Sequence, residues 1–399
     1  MFKQFSLIAS SLLIFQSANA AFQWTQKSSF GGPGRHRLVS CSVGSKGYMG
    51  LGHINATIDV VYDDWWEFDP ASNSWTQKAN YPGGMTYNGV AFSIGNLAYC
   101  GTGINTSFQN KDEFFSYNPA TNSWLPIADY GGGPRRGCVA FVIQNLGYVA
   151  TGSFMNDIWS YDPSTDSWTP HASCPGVGRA GAVGFEINGK GYVGTGSNSS
   201  YYPLYDFWEF DPTLNTWLQK ANFPAGRRTQ GAGFSLLSRG YLGCGMDSVS
   251  NDYNDFWRYN PTGDSWTQVV DFGGSARRYL SCFTIQFKAY GGCGTNGINL
   301  QDFWDYGSLT DSPDMEEDEI SLNVFPNPVS TFSTVKINNW NSKNDMSLKL
   351  FDVTGKWVME KKVTDNEMKL ECGIFPSGVY FLQISEKNKP IASSKIIIE

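Results

Sequence analysis

The chain has 399 residues, with 44 glycines and 14 tryptophans, and its formal net charge is −7 at pH 7. Its basic residues are scattered rather than massed in one stretch, which argues against nucleic acid as a partner. Runs of charged, helix-forming residues are absent, so the composition indicates an all-β protein.

The first 20 residues have the pattern of a secretory signal peptide. Lys3 precedes an apolar run, and the stretch ends in the small-x-small sequence Ala18-Asn19-Ala20. We therefore exclude residues 1–20 from the fold and expect secretion. No other stretch is long and apolar enough to span a bilayer, so no transmembrane segment is predicted in the mature chain.

A repeated stretch organises the next 290 residues. It reads YDFWEFDPTLNTWLQKAN from Tyr205, and near-copies begin at positions 63, 111, 156 and 254, with a truncated copy at 301. Alternating aromatic residues such as Trp208 and Phe210 predict one strand, Asp-Pro predicts a turn, and Trp217 lies on the next strand. A period of about 50 residues built from short strands is typical of a β-propeller.

The spacing inside the period is nearly constant. Upstream of each copy lies a hairpin such as RAGAVGFEINGKGYVGTG from Arg179, in which Asn188-Gly189 predicts a turn with positive φ. From the first hairpin position to the tyrosine is 13 residues in all six units, and only the segment between that tyrosine and the next strand varies. The pattern predicts rigid four-stranded units, each with one variable loop.

The two ends of this region complement each other. Trp24 lies 11 residues before Arg35, as each later tryptophan of this type lies before the next unit, whereas the sixth unit lacks its fourth strand. We therefore predict six blades over residues 21–306, the last built from 277–306 together with 22–30. Closing the ring in this way removes exposed sheet edges.

Residues 22–306 resemble kelch repeats. The resemblance is carried by the Arg before the first strand, the Tyr-led Gly motif of the second, the aromatic-Asp-Pro turn and the Trp of the fourth strand. The usual Gly-Gly doublet is missing, since the motif reads GTG after Tyr192 and GCG after Tyr241. The resemblance implies a six-bladed kelch-like propeller, but a fold does not determine a function.

The remaining sequence changes character. Residues 307–320 are rich in acids and predict a solvated linker. Residues 321–399 read as short strands and resemble the type A C-terminal sorting domain of the type IX secretion system of Bacteroidota, through Pro326-Asn327-Pro328, the FDVTGK sequence from Phe351, GVYFL from Gly378 and the apolar end led by Lys395. The resemblance implies a small Ig-like β-sandwich, the secretion machinery as partner, and export across the outer membrane followed by release or surface attachment.

The first hairpin position is the leading candidate for ligand contact. Five of the six units carry arginine there, which would surround one mouth of the channel and suit an anion. These candidates are Arg35, Arg135, Arg179, Arg228 and Arg277. The alternative is ion pairing inside each blade, because an acidic residue lies at the start of the third strand of each unit. The unit with Thr86 in place of arginine is also the only one with Glu113 in place of aspartate.

The variable loops are the second candidate region. They carry Tyr201, Tyr202 and Tyr253 among many Asn and Ser residues, which suits stacking on sugars or contact with a protein loop. The alternative is that these are ordinary solvated loops. The eight cysteines are scattered and fit small core residues. With only three histidines, we expect neither a metal site nor a cofactor.

These features predict a secreted or cell-surface binding module that recognises a glycan or a protein through the loop face. The alternative is an enzyme similar to sialate mutarotases or epimerases, acting on an acidic sugar at the channel mouth with Glu113 or Asp206 as its acid. No local motif favours the enzyme.

Overall fold

The computed structural model describes residues 22–55, 59–307, 321–338, 346–352, 356–386 and 389–399. The predicted signal peptide and residues 308–320 of the predicted linker lie outside these ranges. The chain divides into two compact units, Met1–Asp311 and Ser312–Glu399. Regular structure in the described residues is entirely β, and no helix long and apolar enough to cross a membrane occurs there.

Short strands follow one another along the whole described chain. Those before residue 130 are β1 (Gln23–Lys27), β2 (Val39–Val43), β3 (Lys46–Gly50), β4 (His53–Ile54), β5 (Val60–Val61), β6 (Trp65–Asp69), β7 (Ser74–Lys78), β8 (Thr86–Tyr87), β9 (Val90–Ile94), β10 (Leu97–Gly101), β11 (Ile104–Asn105), β12 (Phe114–Asn118) and β13 (Ser123–Ile127). Those from 139 to 307 are β14 (Val139–Ile143), β15 (Leu146–Ala150), β16 (Ile158–Asp162), β17 (Ser167–Pro170), β18 (Val183–Ile187), β19 (Lys190–Gly194), β20 (Phe207–Asp211), β21 (Thr216–Lys220), β22 (Ala232–Leu236), β23 (Arg239–Gly243), β24 (Phe256–Asn260), β25 (Ser265–Val269), β26 (Ser281–Ile285), β27 (Lys288–Gly292) and β28 (Phe303–Gly307). The second unit contains β29 (Ser321–Phe325), β30 (Phe332–Asn338), β31 (Met346–Asp352), β32 (Trp357–Lys362), β33 (Glu367–Glu371), β34 (Gly378–Glu386) and β35 (Lys389–Ile398).

Most strands of the first unit form four-stranded antiparallel sheets, one for each sequence repeat, while β4 pairs with β5 and β8 with β11 in two small two-stranded sheets. In chain order the four-stranded sheets are sheet 1 (β2-β3-β6-β7), sheet 2 (β9-β10-β12-β13), sheet 3 (β14-β15-β16-β17), sheet 4 (β18-β19-β20-β21), sheet 5 (β22-β23-β24-β25) and sheet 6 (β26-β27-β28-β1). The N-terminal strand β1 completes sheet 6 by pairing with β28, where Trp24 lies opposite Tyr306. The fourth strand missing from the sixth repeat therefore comes from the other end of the unit.

The first strands of the six sheets lie around a common axis. Each contacts the first strand of the next sheet, and β26 contacts β2. A narrow channel on this axis is lined by three consecutive residues from each unit, namely 38–40, 89–91, 138–140, 182–184, 231–233 and 280–282. The arrangement is a β-propeller-like all-β fold.

Local chemistry explains why each repeat folds as it does. In the hairpin of sheet 4, Asn188 and Gly189 have φ of 52° and 79°, the left-handed turn that the sequence predicts. Alternate residues of β18 are buried, and hydrophobic clusters form between neighbouring sheets. In one cluster the ring of Phe207 from sheet 4 lies 4.9 Å from the ring of Trp266 in sheet 5. Burying aromatic side chains between the sheets supplies most of the stabilisation.

Hydrogen bonds also join neighbouring sheets at their outer edges. Trp217 Nε1 donates to the Ala172 carbonyl at 2.6 Å, and Asn215 Oδ1 accepts from the Ala172 amide at 2.9 Å. Four other junctions repeat this pair of bonds through Trp75, Trp124, Trp168 and Trp266. At the junction between sheets 5 and 6, the equivalent Trp24 Nε1 is buried without a partner in the described residues. That junction depends on apolar packing.

The second unit consists of two antiparallel sheets. The first has the order β29-β30-β33 and the second the order β32-β31-β34-β35. Side chains from both sheets, including Val335, Leu350 and Leu382, form one hydrophobic core. In the two units together, all eight cysteines are free thiols.

Candidate functional site

The five arginines at the first hairpin position form buried ion pairs within their own sheets. Arg179 donates from Nη1 to Asp206 Oδ1 at 2.9 Å and from Nη2 to Asp206 Oδ2 at 2.6 Å. Asp206 Oδ2 also accepts from Trp208 Nε1 at 2.7 Å. The other four pairs are Arg35–Asp64, Arg135–Asp157, Arg228–Asp255 and Arg277–Asp302. The five arginine residues are at most 3% exposed. We call these five arginines the ring arginines.

Sheet 2 preserves the charge arrangement without an arginine. Thr86 stands at the first position, and Lys111 Nζ lies 2.7 Å from Glu113 Oε2. Lys111 also donates to the Gly83 carbonyl, which corresponds to the Gly132 carbonyl that Arg135 reaches in sheet 3. A lysine two residues before Glu113 thus replaces the missing guanidinium. The joint occurrence of Thr86 and Glu113 in this one repeat reflects that replacement.

The ring arginines therefore lie against the acids of their own sheets, which is the ion-pairing alternative. Tyrosine rings cover two of these pairs: Tyr253 lies 3.9 Å from the Arg228 guanidinium, and its hydroxyl donates to Asp247 Oδ2 at 2.9 Å. Tyr62 stacks on Arg35 in the same way, also at 3.9 Å. Tyr253 thus contacts an ion pair and its own loop.

A different set of residues lines the mouth of the channel. The residue two positions after each first hairpin position has positive φ, between 58° and 67°. These residues are Arg37, Asn88, Gly137, Gly181, Gln230 and Tyr279. Five backbone N–H groups of this set donate to the carbonyl of the preceding member, at 2.8–3.0 Å. Because five backbone hydrogen bonds link these six residues in sequence around the mouth, their positions are fixed while their side chains differ from unit to unit.

A cavity of about 380 Å³ opens at this mouth. Its lining combines two arginines, three side-chain amides, hydroxyl groups and four aromatic rings. The residues that carry these groups are Arg37, Arg136, Asn88, Asn110, Gln230, Ser153, Ser197, Thr229, Phe108, Phe154, Tyr201 and Tyr279. We call Arg37 and Arg136 the cavity arginines.

The cavity arginines have different surroundings from the ring arginines. Within the described residues, neither has a carboxylate within ion-pairing distance. Arg37 donates to the Tyr279 hydroxyl at 2.8 Å and to His53 Nε2 at 3.2 Å. Burial, together with the charge of Arg37, lowers the pKa of His53 to about 4, so this imidazole is neutral at pH 7 and accepts the bond. The charge of Arg37 is thus held in place without being neutralised.

Aromatic residues form one wall of the cavity. Phe154 and Tyr201 contact edge to face with ring centroids 5.4 Å apart, and Phe108 and Tyr201 are each 72% exposed. Phe108, Phe154 and Tyr201 all have positive φ, which is uncommon for bulky residues and often occurs at binding sites. Tyr202 lies outside this wall, with its ring 4.7 Å from the Arg227 guanidinium.

The Phe108 and Tyr201 loops share one construction. Asn198 Oδ1 accepts from the amides of Ser200 and Tyr202, and Asn105 Oδ1 accepts from the equivalent amides of Ser107 and Gln109. Each asparagine closes a tight loop that puts an aromatic residue at its tip.

The structure brings Tyr201 into the cavity but not the five ring arginines, Tyr202 or Tyr253. Sequence reasoning missed Arg37, Arg136 and Phe154. For Arg37 the available signal was its position two residues after the first hairpin position, where residue type varies although the spacing around it is constant; no comparable signal marks Arg136 or Phe154. Asn or Gly at three of the six such positions is typical of a left-handed backbone.

Comparisons with known proteins agree with this two-unit description. No curated protein shows significant sequence similarity to the chain. The solved structure titled "Structure of YjhT" is 18% identical, covering 69% of this chain and 95% of its own, with a TM-score of 0.58, which indicates a shared fold only. Residues 323–399 match the family model described as "Secretion system C-terminal sorting domain". The second unit is thus a type IX secretion sorting domain, and the protein is exported to the cell surface or released.

Proposed function

We propose that the first unit is a six-bladed kelch-like propeller, closed by β1, that binds a glycan or protein ligand at the cavity on its loop face. The repeat spacing, the six sheets around one axis and the fold shared with YjhT support the propeller. The binding proposal is carried by one observation: the cavity is lined by two arginines that have no carboxylate partner in the described residues, and by aromatic rings that include the exposed Phe108 and Tyr201.

The chemistry of this cavity suits a ligand that is anionic at one end and apolar at the other. Arginine offers a planar set of donors that matches a carboxylate. Tyr201 and Phe154 offer flat faces on which a sugar ring or an apolar side chain can stack. Asn88, Asn110 and Gln230 add amide donors and acceptors for hydroxyl or peptide groups. An acidic sugar, or an acidic residue on a protein loop, meets all three requirements.

The alternative is an enzyme of the sialate mutarotase or epimerase type. Its candidate acids have partners in the structure, since Asp206 is paired with Arg179 and Glu113 with Lys111. Binding is therefore our first proposal. The enzyme hypothesis is tested directly by using NMR to measure how fast the anomers of N-acetylneuraminic acid interconvert with and without the protein.

Thermal unfolding of the mature chain with N-acetylneuraminic acid, galacturonic acid or glucuronic acid tests binding. A ligand that binds only the folded state stabilises it by about 2.7 kcal/mol at a concentration one hundred times its Kd. We expect at least one acid to raise the melting temperature of the wild type in a saturable manner. N-Acetylglucosamine, which lacks a carboxylate, is the matched neutral probe and should give a smaller shift.

Two variants distinguish a ligand bound at the cavity from a ligand bound by the ring arginines. Arg37→Ala should abolish the ligand-induced shift while leaving the melting temperature without ligand nearly unchanged. Arg179→Ala should lower that melting temperature and retain the shift. If Arg37→Ala kept the full shift, the ligand would not occupy this cavity. If no acid stabilised the wild type, the sugar branch of the proposal would be wrong, and protein partners of the loop face would be the branch to test.

A further inference from the structure

The sorting domain carries aromatic residues on the face of its four-stranded sheet that points away from the core. Strand register places Trp357 of β32 opposite Phe351 of β31, Phe351 opposite Phe381 of β34, and Phe381 opposite Lys395 of β35. Trp357 is 57% exposed and Phe381 is 46% exposed. The three residues are therefore cross-strand neighbours in one row across the sheet, which ends in a lysine; a β-bulge between Leu350 and Phe351 lies at the Trp357 end of the row. We call Trp357, Phe351 and Phe381 the aromatic row.

Core packing does not account for these side chains. On β31 and β34 the neighbours of the row, Leu350, Tyr380 and Leu382, point to the other face and belong to the hydrophobic core. Successive residues of a strand alternate between faces, so the row residues can be exposed without weakening that core. Adjacent large rings on a solvent-facing sheet are uncommon on a monomer's surface and typically mark an interaction site.

Two lysines flank the row. Lys395 ends the row, and Lys349 Nζ lies 6.0 Å from the centre of the Trp357 ring and 3.4 Å from Glu360. Residues 321–399 contain ten lysines against eight acids, whereas the whole chain has a net charge of −7. A partner for this face would therefore offer an apolar groove for the rings and carboxylates for the lysines.

We propose that the aromatic row, flanked by Lys349 and Lys395, is the surface through which a protein of the type IX secretion machinery holds this chain during export. The family match assigns a sorting role to residues 323–399, and that role requires a recognition surface on this domain. The proposal names the part of the domain that is recognised and the chemistry of the protein that recognises it. It does not depend on the ligand of the first unit.

The test uses the full chain, expressed in a bacterium that has a type IX system. In the Trp357→Ser/Phe381→Ser variant, we expect surface-bound plus released protein to fall at least tenfold, with accumulation in the periplasm. Ile374→Ser is the matched control, because Ile374 is 73% exposed in the same domain but lies outside the row. It should be exported like the wild type.

A second variant and two measurements distinguish lost recognition from misfolding and from self-association. Lys395→Glu reverses one charge without altering the core, and should lower export severalfold. Urea unfolding of each purified variant should match the wild type, which would show that the variants still fold. Normal export of both the double variant and Lys395→Glu would overturn the proposal. So would gel filtration showing that the wild type self-associates through the row while the double variant is monomeric and exported normally.

Discussion

The ring arginines and the cavity arginines lie at the same end of the first unit, yet their surroundings are opposite. Arg135 and Arg136 are adjacent in the sequence, but Arg135 is 3% exposed and paired with Asp157, whereas Arg136 lines the cavity without a carboxylate partner in the described residues. A charge that recurs in nearly every repeat has a fixed partner in the same repeat. Arg37 and Arg136 stand at positions that vary between repeats, and neither has a carboxylate partner in the described residues, whereas Arg278, at the position equivalent to Arg136, pairs with Asp252 at 2.9 Å.

Physical chemistry explains the division. Burying an unpaired guanidinium is costly, so an arginine at a buried repeated position persists only with a carboxylate beside it. At the mouth of the channel, exposure to solvent and the hydrogen-bonded backbone allow an arginine to remain without a counter-ion. Replacing a ring arginine should therefore lower the stability of the fold, whereas replacing a cavity arginine should weaken ligand binding.

The largest effect is expected from removing a ring arginine. Arg179→Ala leaves Asp206 as a largely buried carboxylate without its partner, and such a change typically costs about 3–5 kcal/mol. Urea unfolding of the mature chain measures the free energy of unfolding. Arg37→Ala is the control and should cost less than about 1 kcal/mol. Equal losses in the two variants would remove the distinction between the ring and the cavity.

Sheet 2 provides an intermediate case. Lys111→Met removes the cation that replaces arginine, but Glu113 is half-exposed and can be rehydrated. We expect a loss of about 1 kcal/mol, clearly below that of Arg179→Ala. The same urea titration measures it, with Lys46→Met as the control, because Lys46 pairs with Asp69 near the surface. A loss as large as that for Arg179→Ala would show that exposure of the carboxylate does not set the cost.

Two of the ring pairs, Arg179–Asp206 and Arg277–Asp302, should also make stability depend on pH. Burial disfavours the charged form of Asp206, but the hydrogen bond and charge of Arg179 outweigh it, so the pKa lies below the ordinary 3.8; Asp302 beside Arg277 behaves alike. A lowered pKa in the folded state gives stability that is present above about pH 4 and is lost as pH falls through the folded pKa. Unfolding free energies measured between pH 7 and pH 3 should therefore fall below pH 4.

Asp302→Asn is the matched variant for this pH dependence. It should be less stable than the wild type at pH 7 and should lose less stability on acidification, because one of the titrating carboxylates is gone. Parallel curves for the two proteins would contradict the assignment. Arg37→Ala should act in a different part of the curve: burial and the charge of Arg37 lower the pKa of His53 to about 4, so removing that charge should reduce the loss of stability between about pH 6.5 and pH 4.

The sequence predicted the repeated features well, because each is recorded several times. The four-stranded units and the turn at Asn188-Gly189 follow from constant spacing, whereas the pairing of each arginine with its acid was only the alternative to ligand contact. Cavity residues were harder to identify, because they are by nature not repeated. Arg136 looks like one more charge beside Arg135, and only the path of the backbone reveals which of the two faces the cavity.

The smallest expected effects distinguish two tyrosines of the variable loops. Tyr253→Ala removes a ring stacked on Arg228 and a hydrogen bond to Asp247, so the free energy of unfolding should fall by about 1–2 kcal/mol. Tyr201→Ala removes a mostly exposed ring and should cost less than about 0.5 kcal/mol. With an acidic sugar that stabilises the wild type, the order should reverse: Tyr201→Ala should weaken the ligand-induced shift, and Tyr253→Ala should retain it. If Tyr253→Ala alone lost the shift, the ligand would contact the ring arginines rather than the cavity.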